Sequence, residues 1–483
     1  MSPAGGRHYI AIDIGAESGR VIVGVVGDDG VALDEVHRFP NTPVRTPDGL
    51  HWDILRLYGE ALIGIRAATA RYGRATAGIG VDSWAVDYGL LDARGRLLGN
   101  PYHYRDHRTD GVREEAARVV PAAELYARTG IAQLPFNTLY QLMAQRRDAD
   151  ATLDEAASLL MIPDLLHYWL TGETAAEQTN ASTTGALGID GDWATDLLRR
   201  LDVPERFFLN PTPPATVLGP LRAGVCDECG LEATARVVLP ASHDTASAVV
   251  AVPAAPTGRG GATHAYISSG TWSLLGIELA RPVASDEARQ AGFTNERGAS
   301  GTYRFLTNIM GLWIVQECRR AWARHGQDWS YEELTARAAA VASDHISIDV
   351  DDPSLLHPDD MPAALQAQLR AGGQAPVDDP VVLVRAVLEG LARSYRRGVE
   401  SIERLAGVSI ETIHIVGGGA RNALLCQLTA DACRRPVVAG PAEATALGNV
   451  LVQAIGAGQL RDLRQARALS RLASGIRTYH PRP

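Results

Sequence analysis

Apolar runs broken at short intervals by glycine, serine and proline divide this chain into strands and helices, and part of their order repeats. Near the start, HYIAIDIGAESGRVIVGVVG sets two β-branched runs on either side of a small-residue turn, the pattern of a β-hairpin. The pattern returns in HAYISSGTWSLLGIEL, His264 to Leu279, again with a Ser/Gly/Thr turn between apolar runs. Two copies predict two halves built alike. TAGIGVDSWAVDYGLLD predicts strand, turn and strand, and SLLMIPDLLHYWLTG predicts a helix with Pro163 in an early turn and Gly172 as its stop. In DDPVVLVRAVLEGLARSYRRGVESIERLAG, apolar residues three and four apart predict a long helix, entered through acids and closed by Gly407. It runs into IETIHIVGGGARNALLCQLTADAC, an apolar strand, three glycines and another helix. The alternation predicts an α/β protein. Between the two hairpins, the proline-rich NPTPPATVLGPL interrupts regular structure and predicts a connection close to a domain boundary.

Length and composition narrow the function. At 483 residues the chain is too long for one core, and the usual roughly 100 to 200 residues per domain predicts two to four units. A net charge of -10 with no long basic block argues against a nucleic-acid surface. The spread of arginine supplies the positive charge, so an anion site would rest on arginine, backbone N–H groups or a metal. Five cysteines make no even disulfide framework, and no secretory leader precedes them, so a reducing, cytoplasmic setting is expected. CDEC, Cys226 to Cys229, has the look of half a zinc site, but no second half stands at the usual spacing, and a loop with two free thiols is expected. No run approaches the roughly 20 apolar residues that span a bilayer.

The glycine-rich turns carry the first chemistry. VGGGARN, between a strand and a helix, lets backbone approach a ligand at a helix N-terminus. It is not a dinucleotide fingerprint, because Asn422 stands where the third glycine belongs, and no Walker sequence occurs. The two hairpin turns offer backbone N–H groups and the hydroxyls of Ser18 and Thr271 to phosphates. In PASHDTASAVVAVP, Asp244 stands at the foot of a small-residue helix, beside His243. Alone it reads as a helix cap; in company with phosphate-type turns it is a carboxylate placed to take a hydroxyl proton.

DIGAESGR, GVDSWAVDYGLLD, YRDHRTDG, LPFNTLYQL, PASHDTASAV, ISSGTWSLLG, NIMGLWIVQE and HIVGGGARNALLCQLTADAC, in this order from about Ile10 to about Ile455, resemble the FGGY family of carbohydrate kinases, its rhamnulose-phosphorylating members above all. The resemblance implies two ribonuclease-H-like domains of the actin and Hsp70 type flanking a catalytic cleft. These are expected at 1–242, with the sugar and the first phosphate turn, and at 243–483, with the nucleotide. It implies transfer of the ATP γ-phosphoryl group to the C1 hydroxyl of L-rhamnulose, Asp244 being the general base. His243, Thr245, Asn308 and the backbone around Ala85 would contact the sugar. Ala16, Glu17, Ser18, Gly19 and Arg20, with Thr271, Gln316 and Gly418, would hold ATP.

Asp13 ends an apolar strand and points a carboxylate at a turn suited to anions. Two like charges share a dry pocket only with a cation, and Mg²⁺ commonly bridges carboxylate and nucleotide phosphate, so Asp13 is expected to hold it directly or through water. Glu17 either turns outward or pairs with Arg20. Fuculose and xylulose are the alternative acceptors. In a different class, the same fold would serve an ATP-gated binding protein with no sugar acceptor. Sugar and ATP are the expected partners, with neither nucleic acid nor membrane, and monomer and dimer both stay open.

Overall fold

The computed structural model describes residues 6–254, 264–341, 346–356 and 358–482. They pack as two compact units. The first comprises Met1–Ala255, Glu278–Phe305 and Ala444–Ala473; the second comprises Pro256–Ile277, Leu306–Glu443 and Ser474–Pro483.

In the first unit the initial hairpin forms as expected, β1 (Arg7–Ile14) with β2 (Ser18–Gly27), and β3 (Gly30–Pro40) continues it antiparallel. β4 (Gly78–Ser83) lies parallel to β1 on its other side. β5 (Val217–Pro220) and β6 (Arg236–Val238) complete a six-stranded sheet in the order β5-β6-β4-β1-β2-β3. Ile10, Ile12, Val21, Val23, Ile79 and Val81 supply buried branched side chains to its core. The register sets Asp13 opposite Arg20 in β2 and opposite Asp82 in β4. A second core, with Leu90, Leu125, Leu142, Leu159 and Phe207, fills the rest of this unit.

The proline-rich stretch thus lies inside the first unit, where β5 is an edge strand, and does not mark its boundary. An edge strand tolerates proline because its outer N–H groups have no ladder partner to lose. In SLLMIPDLLHYWLTG the first four residues are a strand, Ser158–Met161, and the helix is Ile162–Thr171. Proline in the first turn costs no intrahelical bond there and helps fix the start.

The packing does not follow the expected division between 242 and 243. The helix Asp244–Val250 lies against the helix Ala444–Gly456, and both belong to the first unit. Their approach depends on Gly448, where a Cβ would stand 1.8 Å from the carbonyl oxygen of Ser247. The later helix is tied to the first sheet by side chains. Asn449 Nδ2 donates to the Gly80 carbonyl at 3.2 Å and to Asp82 Oδ2 at 2.5 Å, and Gln453 Nε2 donates to the Ile10 carbonyl at 3.1 Å.

The second hairpin also forms, β7 (His264–Ser269) with β8 (Trp272–Leu279). β9 (Phe293–Arg297), β10 (Tyr303–Met310), β11 (Thr412–Val416), β12 (Val437–Ala439) and β13 (Arg477–Tyr479) extend the sheet in the order β9-β10-β8-β7-β11-β12-β13. β11 is parallel to β7 and β12 to β11, as β4 is to β1 and β6 to β4. The internal repeat read from the two hairpins is therefore a repeat of sheet topology. The long helix runs Pro380–Ala406: Asp379 accepts from the Val381 N–H at 2.8 Å at its start, and Gly407 closes it in the left-handed region, φ 65°.

Candidate active site

The carboxylate of Asp13 is buried at the end of β1, and Arg20 reaches across the hairpin to it, with Nε and Nη2 3.0 and 2.9 Å from Oδ2. The turn between them is closed by the Gly15 N–H, which donates to the Ser18 carbonyl at 3.0 Å, and by Asn41 Nδ2, which donates to the Gly15 carbonyl at 2.9 Å. Arg20, expected at a phosphate, is thus bonded to Asp13, and Glu17 does not turn outward, since its Oε1 is buried.

Asp82, beside Asp13 in the parallel pair, was not among the residues expected from the sequence. Burial, then the neighbouring Asp13 carboxylate, push its pKa well above the carboxylate range, and Asp244 adds to the effect. Its Oδ1 is buried with no hydrogen-bond partner among the described residues, while Oδ2 takes the Asn449 amide. Asp82 therefore feels both the Asp13 and the Asp244 carboxylates within the first unit. The available signal was an acid inside the apolar run GIGVDSW, where an alternating or continuous strand pattern has no place for a charge.

Asp244 is the first residue of its helix, after His243 in the N-cap position. Its carboxylate accepts from the Thr245 N–H at 2.5 Å and from Thr245 Oγ1 at 3.1 Å. It is still 31% exposed, whereas Asp13 is 2% exposed and His243 5%. The segment in front of it is clamped. Glu177, buried, accepts from the Ser242 N–H at 2.9 Å and Ser242 Oγ at 2.7 Å, and also from the Thr179 N–H, Thr179 Oγ1 and the Asn180 N–H. The His243 N–H donates to Thr179 Oγ1 at 3.2 Å, and the Ser83 N–H donates to the Ser242 carbonyl at 2.9 Å. The last bond joins the end of β4 to the Asp244 turn. The ring of His243 has Nδ1 3.0 Å from Arg304 Nη2 and 3.2 Å from Glu296 Oε2. Burial alone would raise the pKa of Glu296, but Arg304 and His243 outweigh it and hold it below the usual carboxylate range.

Ala85 lies in the turn after β4, followed by Val86 at φ 68°, a conformation costly for a branched side chain. Asp87 organises this turn: it accepts from Trp52 Nε1 at 2.6 Å, Gln141 Nε2 at 2.8 Å, Trp84 Nε1 at 2.9 Å and the Tyr104 N–H at 3.1 Å. Burial pushes its pKa up to about 6 against those bonds. Trp52 stacks on His103 with centroids 4.1 Å apart and lies as close to Trp84, so the turn carries an aromatic wall. Neither Asp87 nor the wall was foreseen; both gather residues far apart in sequence.

Thr271, Asn308, Gln316 and Gly418 belong to the second unit. Thr271 occupies the second hairpin turn, and its carbonyl accepts from the Trp313 N–H at 3.1 Å, which fixes the start of the helix Trp313–Arg324 that carries Gln316. Gln316 Oε1 is buried and without a hydrogen-bond partner among the described residues. Asn308 is on β10 and partly buried. Gly418 begins a turn of 3₁₀ helix after Gly417, whose φ of 81° favours glycine. A Cβ on Gly419 would stand 2.1 Å from Ser269 Oγ, so this turn lies directly on the end of β7. The expected sugar and nucleotide residues are thus divided: Ala85, His243, Asp244, Thr245 and Ala16 to Arg20 in the first unit, the other four in the second.

CDEC lies on a helix, Ala223–Cys229, and not in a loop; both thiols are free and buried, and burial pushes Cys229 up to about 11. Among the described residues no cluster of three or more His, Cys, Asp or Glu side chains forms a ready-made metal cage. The donor at Asp13 is a hard carboxylate oxygen, which fits Mg²⁺, an ion that keeps several waters and takes one or two protein carboxylates. No helix among the described residues is long and apolar enough to cross a membrane.

Residues 8–251 match the N-terminal domain, and residues 265–457 the C-terminal domain, of the FGGY family of carbohydrate kinases. The chain is 40% identical to a rhamnulokinase of Oceanobacillus iheyensis over 471 residues, 97% of each chain. It is 40% identical to a rhamnulokinase of Bacteroides thetaiotaomicron over 476 residues, 98% of this chain and 96% of the relative. Among solved structures, a gluconate kinase from Lactobacillus acidophilus has a TM-score of 0.81 at 16% identity, covering 99% of this chain and 94% of its own. A Plasmodium falciparum glycerol kinase with ADP has a TM-score of 0.77 at 15% identity over the same shares. At such identities the solved structures speak for the fold, and the expected actin-type pair of α/β domains is borne out.

Proposed function

Since the chain belongs to the FGGY family of carbohydrate kinases, whose members use ATP, we propose that it phosphorylates L-rhamnulose at the C1 hydroxyl, in the breakdown of L-rhamnose. The observation that carries this reading is the carboxylate of Asp244: partly exposed at a helix start, among neighbours that are buried and bonded. Near-full-length identity to rhamnulokinases supports the acceptor. A protein that draws on ATP and keeps five free thiols belongs in the cytoplasm.

In the proposed reaction Asp244 accepts the proton of the C1 hydroxyl as its oxygen attacks the γ-phosphorus of ATP. The Glu177 bonds to Ser242 hold Asp244 against rotation away from the hydroxyl. His243, Thr245, Asn308 and the turn at Ala85 align the sugar, and the buried Asp87 bonds behind that turn fix its shape. Ala16 to Arg20, Thr271, Gln316 and Gly418 hold the nucleotide, the turn N–H groups meeting phosphate oxygens. Asp13 would hold Mg²⁺, which when bound offsets the charge on the phosphates.

A coupled ADP-release assay over L-rhamnulose, L-fuculose, D-xylulose and glycerol tests the acceptor. L-Rhamnulose is expected to give the largest kcat/KM, because a pocket that pairs several hydroxyls penalises any acceptor that leaves one unmatched. Glycerol as the best acceptor, or ATP turnover indifferent to sugar, would overturn the reading.

A further inference from the structure

Ala85 is the one residue from Gly78 to Leu91 that is not buried, and the backbone just after it has an unusual shape. The Asp87 N–H donates to the Ala85 carbonyl at 2.9 Å and closes a three-residue turn around Val86, whose φ is 68°. A γ-turn with a central φ of that sign is the rare, strained form, and a branched side chain at its centre strains it further. What holds Val86 there comes from the helix Thr138–Arg147. Thr138, wholly buried at its start, donates through Oγ1 to the Val86 carbonyl at 2.6 Å. Gln141, buried one turn on, donates through Nε2 to the same carbonyl at 3.4 Å and to Asp87 Oδ1 at 2.8 Å. All these residues belong to the first unit.

A strained backbone persists only where its surroundings over-determine it, and such sites cluster where a ligand is gripped. A helical threonine commonly turns its hydroxyl back onto its own helix. Thr129, Thr171 and Thr429 do so, each donating to the carbonyl four residues earlier. Thr138 starts its helix, has no earlier turn to bond, and gives its hydroxyl to Val86. We infer that Thr138 is a positioning residue for the sugar: its hydroxyl keeps Val86 in the left-handed region and so sets the Ala85 backbone where it meets the acceptor. Without that bond Val86 relaxes to a negative φ, the peptide between Val86 and Asp87 swings, and Ala85 shifts at the one unburied point of the turn. This inference deepens the proposed function and rests on the Ala85 turn lying at the sugar.

Thr138→Val keeps the shape of the side chain and removes the donor. In the coupled assay its KM for L-rhamnulose is expected to rise about 10-fold, the weight of one buried hydrogen bond, with a smaller change in kcat and none in KM for ATP. Thr138→Ser, which keeps the hydroxyl, is expected to recover most of that loss. The decisive comparison uses a Val86→Gly background, where glycine adopts the left-handed φ without help. Adding Thr138→Val there should leave KM for L-rhamnulose where Val86→Gly alone sets it. An equal rise in both backgrounds would mean that Thr138 acts through packing alone, and overturns the inference. A crystal structure of Thr138→Val gives a readout independent of activity: Val86 is expected at a negative φ, and a positive φ there overturns the inference. If Val86 does relax while KM for L-rhamnulose stays at the wild-type value, the conformational assignment stands and the reading of the Ala85 turn as a sugar contact fails. If Thr138→Val does not fold, adding Val86→Gly is expected to restore folding, and a double variant that also fails overturns the inference.

Discussion

Arg20 closes on Asp13 across the first hairpin, its Nη2 2.9 Å from the carboxylate Oδ2. A carboxylate at an anion turn is thereby partly neutralised from within, and a bound cation would act on a residual charge only. Asp13→Asn is expected to raise the Mg²⁺ concentration needed for half-maximal rate and to slow transfer, while sugar affinity without nucleotide stays nearly intact. Titration calorimetry with sugar, beside a Mg²⁺ dependence of the coupled assay, checks both. An unaltered Mg²⁺ dependence removes Asp13 from the metal.

Asp244→Asn keeps the size and most hydrogen bonding of the side chain but takes no proton. We expect kcat to fall by about 10² to 10⁴, with binding of sugar and of Mg·ATP retained. If the residue served only the helix start, the melting temperature would fall and the folded fraction would work normally.

Gly448→Ala tests the contact that brings the Asp244 helix to the Ala444–Gly456 helix, since its Cβ would stand 1.8 Å from the Ser247 carbonyl oxygen. Backbone has to move, at a cost of about 1 to 3 kcal/mol. Urea denaturation should report that loss and the assay a lower kcat. Full stability would mean that the two helices separate without strain.

His167 accepts the Val81 N–H through Nε2 at 2.9 Å, and burial lowers its pKa to about 3. The unfolded imidazole takes its proton near 6.5 and the native one only near 3, so the unfolded state binds the extra proton between those values. Stability from this site is complete above 6.5 and is lost as the pH falls toward 3. The gap in unfolding free energy between wild type and His167→Gln should therefore shrink by about 2 kcal/mol from pH 7.5 to pH 5. A constant gap would mean that the native ring takes up its proton at the same pH as the unfolded one.

Much of the fold could be read along the chain, because hairpins, caps and helix periods are local. The two small-residue turns and the Asp379 to Gly407 helix formed where their residues predict. The compact units depart from the expected division at 242 and 243 because the helix Ala444–Gly456 returns to a sheet built from the first residues of the chain. No local pattern carries that return. Within the site, Asp13 and Asp244 stood out by their place beside a turn and a helix start, Asp82 was marked only by being an acid in an apolar run, and Glu177 and Glu296 by nothing nearby in sequence.

By itself the sequence determined most of the element types, the doubled hairpin and the turn carboxylates, all of which depend on residues within a few positions of one another. The tertiary structure alone decided that Arg20 pairs with Asp13, that Asp82 joins the carboxylates, and that Glu177, Glu296 and Arg304 stand behind the Asp244 turn. The physical reason is burial: a charge removed from water must find partners wherever the packing brings them, and those partners come from strands and helices far apart in the chain.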